Sequence, residues 1–133
     1  MLDSIGREIK EITTRTERIK IEDSGIIDCV VLDNAVVSLE DARENIEAVR
    51  ILSQGGSRPV LVDITRSRGI SRDARAYLAG DETARYQSAC ALVVGSPLSQ
   101  LIGNFFLGFN RTKFPIKLFH GQDEAREWLH TFL

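Results

Sequence analysis

Two short apolar runs, Arg58-Pro-Val-Leu-Val-Asp-Ile64 and Ser88-Ala-Cys-Ala-Leu-Val-Val-Gly95, restrict this chain more than any other feature. Each is too short for a helix, carries apolar residues at odd and even positions alike, and is followed by a stretch with helical spacing. A strand that is greasy on both faces must be covered on both faces. Parallel sheets meet that condition, because their crossover helices lie above and below them.

The remaining segments supply matching units. Glu17 to Asp33 alternates at Ile19 and Ile21, turns at Asp23-Ser24-Gly25 and resumes with β-branched residues, which predicts a hairpin. Ser38 reads as an N-cap with Asp41 in the first turn, and Ala42, Ile46, Val49 and Ser53 share one side of a helix ending near Gly55-Gly56. A further helix opens at Ser71 and breaks at Gly80, and a shorter one starts at Asp81. Ser96 caps the next, with Pro97 at the first helical position, where a missing N–H costs nothing. Phe114 to Phe119 gives a last strand, and Ala125, Trp128, Leu129 and Phe132 mark one face of a closing helix. Leu2, Ile5, Ile9 and Ile12 repeat at helical spacing and predict a short helix within residues 1–14. The order is therefore ββαβαβαβα: one α/β domain over residues 1–133, with an N-terminal hairpin and a right-handed βα superhelix on a mainly parallel sheet. Ligands and partners of such sheets meet the loops at the carboxyl ends of the strands.

Composition narrows the function classes. A formal charge of −2 with 27% charged residues argues against nucleic acid as a partner. The first residues mix acids and bases without the apolar block of a secretory signal, so a cytoplasmic location is expected. Cys29 and Cys90 lie in apolar runs and read as buried hydrophobes rather than a disulfide. His120 and His130 stand far apart without a Cys or acidic cluster at ligand spacing, so neither a metal nor a cofactor is expected.

Three places could carry chemistry. Asp63 ends a strand and is followed by Thr65, Arg66, Arg68, Ser71 and Arg72, a set that could contact an anion or simply keep a loop soluble. A phosphoacceptor aspartate would need further carboxylates and a lysine converging on Asp63, and Asp33, Asp41 and Lys117 are poorly placed for it. Ser96 lacks a base, and Pro97 removes an oxyanion donor, so Ser96 reads as a cap. The third place is Ser96 to Asn110, which has no charge at all. Leu98, Leu101, Ile102, Phe105 and Phe109 gather on one side, widened by Phe106, and are assigned to the core. Leu107 lies opposite, beside Gln100, Gly103 and Asn104, and is assigned to an exposed contact face. Its polar residues and Pro97 exclude a membrane span, and basic residues appear only after it, at Arg111 and Lys113, which disfavours attachment to anionic lipid. A second subunit, another protein or an apolar ligand could occupy the face, with the homodimer first in order.

The element order, the Pro-Val-Leu-Val-Asp-Ile strand followed by Gly69-Ile-Ser-Arg-Asp-Ala74, and the closing Pro115-Ile-Lys-Leu-Phe-His-Gly-Gln-Asp-Glu-Ala-Arg-Glu-Trp-Leu129 resemble the STAS superfamily, and more closely its bacterial SpoIIAA-like members. The resemblance implies a SpoIIAA-like fold and a non-catalytic role like that of an anti-sigma factor antagonist, in which a kinase phosphorylates a serine that follows an aspartate at a helix start. Here Ser71 falls at the aspartate's place and Arg72 at the serine's, so the switch residue is absent and Ser71 is left as a candidate phosphorylation site beside Arg72 and Arg75. Thr65, Arg66, Arg68, Ser71 and Arg72 are then the expected polar contacts to a protein partner, with Leu107 as the apolar anchor. The same superfamily shape is likened to CRAL-TRIO type lipid carriers, which gives the alternative: a carrier or sensor of a small apolar molecule, with the phenylalanine-rich helix as its movable wall.

Overall fold

The computed structural model describes residues 1–133. In chain order its elements are β1 (Glu11–Thr13), β2 (Glu17–Ile21), β3 (Ile27–Val31), β4 (Val36–Val37), α1 (Leu39–Leu52), β5 (Arg58–Asp63), β6 (Gly69–Ile70), α2 (Arg72–Leu78), α3 (Asp81–Ala84), β7 (Gln87–Val93), α4 (Pro97–Phe109), β8 (Ile116–Phe119) and α5 (Gln122–His130). Six strands form one sheet in the order β1-β2-β3-β5-β7-β8. β1, β2 and β3 pair antiparallel, and β3, β5, β7 and β8 pair parallel. The predicted hairpin, the mainly parallel sheet and the alternation of strand and helix are all present.

Both faces of the central strands are covered, as their sequences require. On one face Ile19, Ile27, Cys29 and Val60 pack with Ala48, Val49 and Leu52 of α1, and Cys90 and Leu92 pack with Phe106 of α4 and Phe114. On the other face Leu61, Ala89, Ala91 and Val93 meet Ala125 and Leu129 of α5. The small alanines of β7 let α5 lie close, and full burial of Leu129 contributes roughly 2 kcal/mol or more. α5 packs closely on β5, β7 and β8, and α4 covers the other face, where Gly103 comes up against Val94 and Leu118.

Two expectations fail here for local reasons. The chain before β1 is not helical: Asp3 accepts hydrogen bonds from the Ile5 and Arg7 amides, Gly6 has φ +84°, and Leu2 bridges to Glu8. Ile12 instead enters β1, which pairs with β2 as an edge strand, while Leu2 and Ile5 stay exposed. The loop after β5 is also more ordered than its composition implies. β4 and β6 form a small parallel sheet, and the loop amides and carbonyls bond across to the turn after β3, from Asn34 N to Arg66 O and from Arg68 N to Ala35 O. Pairings of two residues leave no period to read in a sequence.

Candidate functional site at the rim of the sheet

Asp63, the last residue of β5, is a structural junction. Its Oδ1 accepts from Thr65 N at 2.9 Å and its Oδ2 from Gln122 Nε2 of α5 at 2.9 Å. Asp41, the other carboxylate considered with it, accepts from Arg15 Nε at 2.7 Å and from Ser38 N at 2.9 Å, completing the capping box of α1. The Arg15 guanidinium holds the Asp41 carboxyl well below the usual carboxylate range, with the Ser38 donors assisting. Both acids are engaged in holding the backbone.

Thr65 and Ser96 join the two loops. The Ser96 hydroxyl donates to Thr65 O at 3.0 Å and accepts from Ser99 N at 3.0 Å. The Ser99 hydroxyl in turn accepts from Gly95 N and Ser96 N. Ser96 is thus the cap that the sequence predicts, and Thr65 is half-buried against Gly95 rather than free at the surface. Arg66, Arg68 and Arg72 are exposed along this rim. Ser71 is half-buried as the N-cap of α2, accepting from Ala74 N and donating to the Asp73 carboxylate. Ser67 is buried, with its hydroxyl turned to Ala35 O and Gly69 O.

α4 reverses the orientation that hydrophobicity alone predicts. Phe105 and Phe109, assigned to the core, are 44% and 74% exposed, and Leu98 and Leu101 stand out with them at 46% and 65%. Leu107, assigned to the exposed face, is half-buried. The side turned inward carries Ser99, Gly103 and Phe106. The cause is steric: a Cβ on Gly103 would lie 2.8 Å from Leu118 Cδ1 and 3.3 Å from Val94 Cγ1, so the bare backbone at Gly103 sets which face approaches the sheet. Arg75 of α2 lies over the Phe105 ring at 4.3 Å and ties the stripe to the arginine-bearing rim.

Beneath α4 is a cavity of about 90 Å³ between the sheet and α1 to α4. Its lining is mainly apolar and includes Val62, Leu92, Ile102, Gly103, Phe106 and Phe114. Cys29 and Cys90 face it as free thiols; burial raises the Cys29 pKa well above the ordinary thiol range and pushes that of Cys90 up to about 12, which makes both poor nucleophiles. Glu17 also lines it. This carboxyl was not among the candidates from sequence, although the alternation of β2 places it on the inward face with Ile19 and Ile21. Burial alone raises its pKa to about 7.

The family model for a domain of unknown function, DUF7793, matches residues 19–133. The chain belongs to this family. It is similar in structure to an uncharacterized DUF3478-family protein with a SpoIIAA-like fold from Shewanella loihica PV-4, with TM-score 0.61 and 20% identity over 89% of this chain and 98% of that one. The fold of the chain is accordingly SpoIIAA-like, as the sequence resemblance implies. It also matches a protein with unknown function from Arthrobacter sp. FB24, with 30% identity over 90% of this chain and 96% of that one, at TM-score 0.33. No curated protein matches the chain. No helix of this DUF7793 chain is long and apolar enough to cross a membrane.

Proposed function

We propose that the protein is a non-catalytic interaction module that docks through the exposed face of α4 and the arginine-bearing rim beside it. One observation supports this reading above the others: Leu98, Leu101, Phe105 and Phe109 stand in solvent at helical spacing on a helix without charge. At about 200 Å² for a large apolar side chain, their exposed fractions amount to on the order of 400 Å² of apolar surface. That is the size of the largest apolar patch on a typical monomer, a patch that is often functional, and roughly half of one partner's share of a stable interface. Arg66, Arg68 and Arg72 extend it with polar contacts.

A second copy of the chain is the occupant that fits. The uncharged stripe can meet its own two-fold image without opposing like charges, with Arg66, Arg68 and Arg72 left at the solvated margin of the contact. A regulatory role like that of an anti-sigma factor antagonist is compatible with the SpoIIAA-like fold, although Arg72 stands where the switch serine would be. A phosphate on Ser71 would meet the Asp73 carboxylate and remove the cap of α2, so it would loosen the rim instead of ordering it. Sedimentation of the wild type and of Leu101→Asp tests the reading. The wild type should be dimeric at about 100 μM, above the micromolar range of modest interfaces, and Leu101→Asp monomeric with an unchanged circular dichroism spectrum. A wild type that stays monomeric at that concentration removes it.

The cavity beneath α4 favours a second reading, carriage or sensing of a small apolar molecule. Ile102, Gly103 and Phe106 of α4 line it, so α4 is the wall that would move to admit one.

A further inference from the structure

We propose that the cavity beneath α4 binds a small aliphatic amine, with its ammonium on the Glu17 carboxylate and its hydrocarbon among Cys29, Val62, Leu92, Ile102 and Phe106. This rests on the apolar-ligand reading and gives that ligand a chemical class.

Glu17 opens β2 opposite Val31 of β3 and is 8% exposed. Asp41 and Asp63, the carboxylates at the helix and strand ends nearby, each accept hydrogen bonds from protein donors. No N–H or O–H of the protein reaches the Glu17 carboxylate, and burial is the sole influence on its acidity. Neither a cap nor an ion pair therefore accounts for an acid at this place.

The elements packed around Glu17 offer it no positive charge. From the sheet Cys29 and Cys90 present neutral thiols, and from α1 the Asn45 amide is engaged by Thr14 and Thr16. Arg18 and Lys20, the cations of its own strand, alternate to the opposite face. No Lys, Arg or His lines the cavity. A buried carboxylate without protein donors is best complemented by a ligand that brings both the donors and the charge. An ammonium brings both, an alcohol brings one weaker donor, and a ligand carboxylate would repel. The cavity of about 90 Å³ has room for a short chain of roughly three or four carbons.

Calorimetric titration of butylamine and of butan-1-ol into the wild type and Glu17→Gln, at about pH 6 and about pH 8, tests the assignment. Butylamine stays cationic at both values, while a group titrating at about 7 goes from roughly one tenth to nine tenths ionised. Butylamine should therefore bind about tenfold more tightly at the higher pH. Glu17→Gln should abolish that pH dependence, weaken butylamine at least about tenfold and leave butan-1-ol unchanged. Should Glu17→Gln fail to fold, Glu17→Asp, which withdraws the carboxylate by one methylene, should weaken butylamine likewise. Equal affinity for amine and alcohol, or an amine affinity indifferent to both variants, overturns the amine assignment and leaves an apolar-ligand cavity. Binding of neither compound overturns both.

Discussion

Phe106→Ala and Phe109→Ala are the same substitution three residues apart on one helix, yet the structure predicts very different costs. Phe106 is 8% exposed and packs with Ala79, Cys90, Leu92 and Phe114. Truncating a buried phenylalanine costs about 3–5 kcal/mol, from lost transfer energy and the space left behind. Phe106 already borders a cavity into which its neighbours can relax, so the lower end, about 3 kcal/mol, applies. Phe109 is 74% exposed and should lose less than about 1 kcal/mol. For a chain of this length 1 kcal/mol moves Tm by roughly 4 °C, so Phe106→Ala should lower Tm by about 12 °C and Phe109→Ala by about 4 °C or less. Urea unfolding followed by far-ultraviolet circular dichroism gives the free energies directly, at a protein concentration low enough for any dimer to dissociate. Equal losses, or a greater loss for Phe109→Ala, would refute the assignment of faces on α4.

Two further outcomes follow from buried or capped carboxyls. The folded chain holds the Glu17 proton up to about pH 7 while the unfolded chain releases it near 4.5, so Glu17 penalises folding increasingly between those values and by a constant amount above them. Glu17→Gln should match the wild type near pH 4 and exceed it at pH 8 by on the order of 3 kcal/mol, and a difference that does not change with pH contradicts the burial of this group. Asp41 has its pKa lowered by Arg15 and by Ser38, so the stability it contributes is present above the ordinary carboxylate range and lost as pH falls through and below it. Asp41→Asn should therefore cost about 1 kcal/mol at neutral pH and progressively less in acid, and a loss that stays constant down to low pH contradicts the ionic capping box.

Where period and local chemistry agreed, the fold was legible from residues alone. The Ser38/Asp41 box, the Ser96-Pro97 start and the apolar runs of β5 and β7 each announce themselves through side chains whose effect is local. The stripe of Leu2, Ile5, Ile9 and Ile12 misled because Gly6 and the Asp3 turn break the helical period, so that Ile9 and Ile12 pack on the core beside α1 while Leu2 and Ile5 stay exposed. On α4 the period was right and the facing wrong. Apolar side chains cover most of that helix, so hydrophobicity cannot choose between its sides, and the close approach at Gly103 decides. Of the candidate contacts, Arg66, Arg68 and Arg72 are at the surface, Ser71 is a cap, and Thr65 and Leu107 are half-buried. Glu17 could have been found by asking which acid shares a strand face with Ile19, a question put to alternation rather than to motifs.

Disulfide capture across the proposed two-fold contact tests the exposed face of α4 most directly. Cys29 and Cys90 are buried, and burial keeps their thiols protonated, so a cysteine placed at Leu101 would be the reactive thiol under mild oxidation. Of Leu98→Cys, Leu101→Cys, Phe105→Cys and Phe109→Cys, the one nearest the two-fold axis should yield a covalent dimer, and Glu124→Cys, on the exposed side of α5, should stay monomeric. Absence of a covalent dimer from all four variants along α4, with the introduced thiols still free and titratable, would contradict the account.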